Sequence, residues 1–139
     1  MKLDLSALEK AAQRLDESLE YMNSETAARD SKLRVVFRAA AIQAFEFTFE
    51  LCAKMILRQL SQVEVNPAEL KKMTFIDLMR TAATRGLVRD PEMFMKFREL
   101  RNMTSHTYDE SRAAEVALAL PSFLAETRAV LAELKARNA

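Results

Sequence analysis

Residues 31–61 read SKLRVVFRAAAIQAFEFTFELCAKMILRQLS, without a glycine or a proline. Asp30-Ser31 offers a side chain to cap the first turn. Two apolar lines run along the segment at helical spacing. One is Leu33, Phe37, Ala40, Ala44, Phe47, Leu51 and Met55; the other is Phe45, Phe49, Cys52, Ile56 and Leu60. A helix apolar over so much of its surface packs on several sides. The spacing therefore predicts a central helix over 31–61 with the rest of the chain around it. A third line, Glu46, Glu50, Lys54 and Arg58, repeats at i,i+4. It is either a solvated ladder of weak ion pairs or a row in which Glu46 or Glu50 faces another segment and orients a side chain there.

Upstream, Leu5, Leu8, Ala12, Leu15, Leu19 and Met22 step by three and four. They predict a helix over 3–22, capped by Asp4 or Ser6. Polar residues 23–30 read as a turn. Downstream, Pro67 disfavours helix at Asn66, so 61–72 reads as a loop with a short turn after the proline. Thr74 followed by Asp77 fits a capping box. The helix it opens runs to about Arg85, with Phe75, Met79, Ala82 and Ala83 inward, and Gly86 is placed to close it in the left-handed conformation. Asp90-Pro91-Glu92 starts another helix, carrying Met93, Phe94, Phe97 and Leu100. A last helix begins near 109–111 and reaches about Arg137. Its stripe is Ala113, Val116, Ala117, Leu120, Leu124, Thr127, Leu131 and Leu134. The stripe stays in phase past Pro121, which predicts a kink and not a break.

The 139 residues make a single domain over 1–139, long enough to bury roughly 68% of the unfolded surface. Half the residues are hydrophobic, with one Gly and three Pro, so long helices are favoured over hairpins. The expected architecture is all-α, an antiparallel up-and-down bundle of four to five helices. With 21 basic and 20 acidic residues the net charge is +1, too small for bulk attraction to nucleic acid or membrane. RNA contact would need a local basic patch or the pairing of two subunits. Residues 71–101 hold eight basic and four acidic residues, which is either ordinary surface or the rim of an RNA- or phosphate-binding groove. Five of the eight methionines lie between 73 and 103, as core gap-fillers or as a flexible partner surface. Cys52 has no second cysteine to pair with and reads as a small buried hydrophobe. No leader pattern follows Met1 and no apolar run approaches the ~20 residues of a membrane span. A cytoplasmic protein, with no membrane contact, no cofactor and no metal, is expected.

The polar exception to this scaffold is Arg101-Asn102-Met103-Thr104-Ser105-His106-Thr107-Tyr108-Asp109-Glu110, which holds the only histidine. At about 100° per residue, Arg101 and His106 stand about 140° apart on a regular helix and cannot meet at one site. Either the helix ends near Thr104, placing His106 and Tyr108 by the positive end of the last helix, or the two residues face sites shared with a second subunit. A helix N-terminus attracts phosphate. A histidine there can act as general base, and a guanidinium can brace the charge on a phosphorane-like transition state. Asn102 and Tyr108 supply hydrogen bonds. Ser105 and Asp109, with Glu46 and Glu50, are the supporting candidates.

Arg101, four residues, His106, Thr107 and Tyr108 form an R-x4-H-x-Y pattern that resembles the HEPN-domain proteins. More narrowly the chain is similar to the HepT-like branch, described as nucleotidyltransferase substrate-binding proteins. The likeness extends to Ala44 through Leu51 with Lys54, to Ala82 through Asp90, and in outline to residues 5–135. It implies a helical bundle and a homodimer whose active groove forms where two motif segments meet. It further implies metal-independent RNA cleavage by the ribose 2′-OH, with Arg101 and His106 as the catalytic pair and Asn102 beside them. Tyr108 would be the position that a cognate small nucleotidyltransferase modifies with AMP, silencing a toxin. The alternative within the family is a non-catalytic protein that binds the nucleotidyltransferase.

Overall fold

The computed structural model describes all of residues 1–139. The spine is α3, Ser31–Val63, opened by Asp30, whose carboxylate accepts from the amides of Lys32 and Leu33. Of the two apolar lines predicted on it, the one through Phe45, Phe49, Cys52, Ile56 and Leu60 is buried throughout. The other is only partly covered: Met55 is buried, Leu33, Phe37, Ala44 and Leu51 are half-buried, and Ala40 and Phe47 face solvent.

Around the spine run α1 (Ser6–Met22), α5 (Phe75–Thr84), α6 (Pro91–Met103) and α7 (Glu110–Arg137), with two short helices, α2 (Glu25–Arg29) and α4 (Pro67–Leu70). The five longer helices make the all-α bundle that the patterning predicts. Leu8, Ala12, Leu15, Leu19 and Met22 turn the predicted face of α1 inward. Asp4 accepts from the Ser6 amide at 3.0 Å, but Leu5 occupies the cap position. The expected turn at 23–30 is instead mostly helical, because Ser24 caps α2 by accepting from the Ala27 amide at 3.2 Å. The expected loop over 61–72 is also shorter: α3 continues to Val63, and Pro67 starts α4, where its fixed φ suits a first helical position.

Thr74 caps α5 through the Asp77 amide, and Asp90 caps α6 through the Met93 amide. Gly86 closes α5 with φ +75°, the Leu87 amide reaching back to the Ala82 carbonyl at 2.9 Å. α7 runs unbroken through Pro121 and buries the predicted stripe except Ala117, which is half-buried; Phe123 and Val130 join it. At the centre, Phe123 meets Phe45 and Phe97 edge-to-face with ring centroids 4.7 and 5.1 Å apart. This aromatic joint locks α7 onto α3 and α6, the helices that carry the polar decapeptide and its neighbours. No helix is long and apolar enough to cross a membrane.

Candidate active site at the junction of α6 and α7

The helix ends near Thr104, one of the two arrangements that the Arg101–His106 angle left open. α6 stops at Met103, a 3-10 turn covers Thr104–His106, and α7 starts at Glu110. Hydroxyls stitch the turn. Ser105 Oγ donates to the Asn102 carbonyl at 3.3 Å and Thr107 Oγ1 to the Thr104 carbonyl at 3.2 Å. Asp109 Oδ1 then accepts from the amides of Ser111 and Arg112 and from Ser111 Oγ. Those hydrogen bonds, the Ser111 hydroxyl foremost, hold the Asp109 carboxyl below its usual range. Ser105 and Asp109 thus shape the turn; neither touches His106 with its side chain.

The two halves of the motif face different neighbours. Arg101 turns back onto α3. Its Nη1 donates to Thr104 Oγ1 at 3.1 Å and lies 3.4 Å from Glu46 Oε2, and its Nη2 donates to Glu50 Oε1 at 2.6 Å. Thr104 is itself buried, and its hydroxyl donates to the Arg101 carbonyl at 2.7 Å. Arg101 Nε is buried without an acceptor. Nη2, with Glu50 as its single acceptor, keeps one hydrogen unused within the chain. His106, by contrast, is exposed, and its Nδ1 lies 3.5 Å from the hydroxyl of Tyr108, which is itself 86% exposed. No carboxylate forms an ion pair with His106. Asn102 is exposed beside Arg101 on α6.

The i,i+4 line on α3 is therefore not a ladder. Glu46 and Glu50 both serve Arg101, and neither Lys54 nor Arg58 has a carboxylate partner. The sequence could not assign these carboxylates, because their partner lies 51 residues away for Glu50. One further contact carries no signal in the sequence. Arg38, on α3, holds Glu110 through two hydrogen bonds of 2.6 and 2.8 Å and keeps its carboxyl below the usual range. That pair fastens the end of the decapeptide to the first turns of α3. The mildly basic region 71–101 is largely neutralised: Lys72, Arg80, Arg85 and Arg89 pair with Glu69, Glu92, Glu64 and Glu126.

Fold and site together define a helical-bundle protein with an exposed histidine–tyrosine pair and a half-buried arginine at one helix junction. The chain belongs to the family described as nucleotidyltransferase substrate binding protein like, which it matches over residues 3–136. It is 34% identical over 139 residues to a Haemophilus influenzae protein named Probable ribonuclease HepT, covering 99% of this chain and 95% of that one. Among solved structures it is similar to a Haemophilus influenzae protein described as revealing the fold of a substrate binding domain of a nucleotidyltransferase. That match has a TM-score of 0.88 at 33% identity and covers 95% of this chain and 99% of the other. A Thermus thermophilus protein matches with TM-score 0.71 at 28% identity, over 91% of this chain and 98% of its own.

Proposed function

We propose that the protein is the ribonuclease toxin of a toxin–antitoxin pair whose other member is a small nucleotidyltransferase. The observation that carries this reading is the helix break at Thr104–His106, in a family with a ribonuclease relative. It exposes His106, Tyr108 and Asn102 at one junction, with the half-buried Arg101 at the end of α6 beside them. His106 takes the proton of a ribose 2′-OH, and the oxygen attacks the adjacent phosphorus. The bond to the 5′-oxygen breaks, that oxygen leaves with a proton from solvent, and a 2′,3′-cyclic phosphate remains. Arg101 braces the charge on the phosphorane-like transition state and Asn102 donates a hydrogen bond to it. The step needs no metal. Two copies pair with their motif segments facing, so that a groove forms between them.

Tyr108 fits the antitoxin side of the pair. Its exposed hydroxyl is free to attack the α-phosphorus of ATP in a nucleotidyltransferase, forming a tyrosyl-AMP ester and releasing pyrophosphate. The oxygen that would carry the AMP lies 3.5 Å from His106 Nδ1, so the added phosphate and nucleoside would cover the ring. A second reading, a binding subunit without catalysis, is favoured by the engagement of Arg101, which already has Thr104, Glu46 and Glu50 as partners.

The test is RNA cleavage by the purified protein in EDTA. The toxin reading expects 2′,3′-cyclic phosphate ends, lost in His106→Ala and Arg101→Ala. Equal cutting by His106→Ala overturns it. Stable binding of a nucleotidyltransferase without any cleavage, in protein whose intact mass shows no AMP on Tyr108, establishes the binding subunit instead.

A further inference from the structure

We infer that Arg98, assisted by Lys54, is a subsite for the RNA backbone phosphate next to the one served by Arg101. The inference rests on the reading of the junction as an RNA-cleaving site and names how the substrate strand is held there.

Arg98 lies three residues before Arg101 and four before Asn102, so all three share a face of α6 within one turn. It is exposed and makes no ion pair with any carboxylate, whereas most cations of the surrounding region do. Its guanidinium carbon instead sits over the Phe75 ring, 5.0 Å from the centroid. Phe75 in turn stacks on Phe49 of α3, with centroids 5.8 Å apart. A cation ordered on an aromatic platform keeps its charge and its N–H edges for an external anion, unlike one held by a carboxylate. Phe49 lies between Glu46 and Glu50 in α3. Both arginines of α6 are thus anchored against the same turn of the spine, one through carboxylates and one through rings.

Lys54 follows Glu50 by one helical turn and is exposed. Because Glu50 is taken by Arg101, Lys54 has no carboxylate partner. Arg101 meets Glu46 and Glu50, and Arg98 reaches Phe49 of the same turn through Phe75, so both arginines sit beside the turn that Lys54 follows. Successive phosphates of a single strand running along α6 towards its N-terminus meet Arg101 first and Arg98 next. A planar guanidinium suits a phosphate through paired N–H donors.

Binding is read by fluorescence anisotropy with a single-stranded RNA whose riboses are 2′-O-methylated and so uncleavable, and turnover with the unmodified strand. Arg98→Gln is expected to weaken binding and raise KM about 5- to 10-fold with kcat within about 2-fold, as for a lost phosphate contact remote from the reacting atoms. The slope of log affinity against log salt should fall by about 0.7. Arg98→Lys should recover most of the affinity. Arg14→Gln, a cation on α1, is the control and should change nothing. Salt slope and KM unchanged in Arg98→Gln, with wild type binding and cutting RNA, overturn the subsite alone. A wild-type protein that neither binds nor cuts RNA overturns the ribonuclease reading and the subsite with it. A merely structural role for Arg98 on Phe75 would lower the melting temperature of Arg98→Gln and Arg98→Lys alike and leave the salt slope intact.

Discussion

On the ribonuclease reading, removing Glu50 should tighten RNA binding, although it deletes the shortest hydrogen bond to Arg101. Glu50 accepts from Nη2 at 2.6 Å, and its side chain is 60% exposed. A phosphate seated on the same nitrogen comes to about 5 Å from that carboxylate; two unit charges so placed repel by about 1 kcal/mol in water and about 3 kcal/mol at an effective dielectric of 20. The exposure puts the pair near the lower figure, and so Glu50→Ala is expected to tighten binding ~5-fold at low salt. The lost surface pair should cost the fold only ~0.2–1 kcal/mol. Glu46 should behave oppositely. It is less exposed, at 34%, and with Thr104 it holds Nη1. Glu46→Ala frees the guanidinium to swing, and a displacement of about 1 Å at the reacting centre lowers kcat ~10²-fold. Anisotropy with uncleavable RNA, initial cleavage rates and urea denaturation separate the three quantities. The affinity effect of Glu50→Ala should shrink as salt is added, because the pair is open to screening. Weaker RNA binding by Glu50→Ala at low salt, or equal falls in kcat for both variants, refutes this division of roles.

Three further outcomes follow from the packing and the ionisation. Phe123→Ala removes a fully buried ring that touches Phe45, Phe97 and Phe49; it should cost ~3–5 kcal/mol by denaturant titration, and a loss below about 1 kcal/mol would show that the joint collapses without penalty. Glu110 has its carboxyl held below 4.5 by the Arg38 hydrogen bonds; its contribution is present above the ordinary carboxylate value and is lost as pH falls through the folded value. Glu110→Gln should therefore be less stable than wild type at neutral pH and converge with it in acid, and a constant difference at every pH contradicts the pairing. The Cys52 thiol, buried and pushed up to about 12, should react with a thiol reagent only when the chain opens; rapid labelling at neutral pH in native protein would contradict its burial.

The scaffold was legible because long helices announce themselves through period and caps. Asp30, Thr74, Gly86, Asp90 and the Asp109 region each mark a helix end by local chemistry, and each does so in the structure. The misreadings fall where local signals are short. Five residues from Glu25 to Arg29 are too few for a periodic face, yet Ser24 is enough to cap them. Residues 61–63 simply prolong α3, whose end carries no breaker until Pro67. At the site, the angle between Arg101 and His106 left two arrangements open, a helix end near Thr104 or sites shared with a second subunit, and α6 does end there. The partners of Arg101 were not legible, because Glu46 and Glu50 look equally suited to Lys54 and Arg58 on their own helix. Only tertiary packing of α6 on α3 decides that competition, and by deciding it leaves Lys54 free. The cation-bearing ring of Phe75 was invisible for the same reason: its role depends on Arg98 arriving from another helix.

The spine is unevenly clothed. No residue of α3 before Ala41 is buried, whereas ten between Ala41 and Leu60 are. Backbone amides in those first turns should therefore exchange with solvent through local opening, and those beyond Ala41 only when the whole bundle unfolds. Arg38 lies in the poorly clothed part and grips Glu110, the last residue of the decapeptide. A strand of RNA or a nucleotidyltransferase that settles on the decapeptide would steady or loosen that grip. Deuterium uptake over residues 31–40 would then report occupancy of the site from the first turns of the spine, without any probe attached to the site itself.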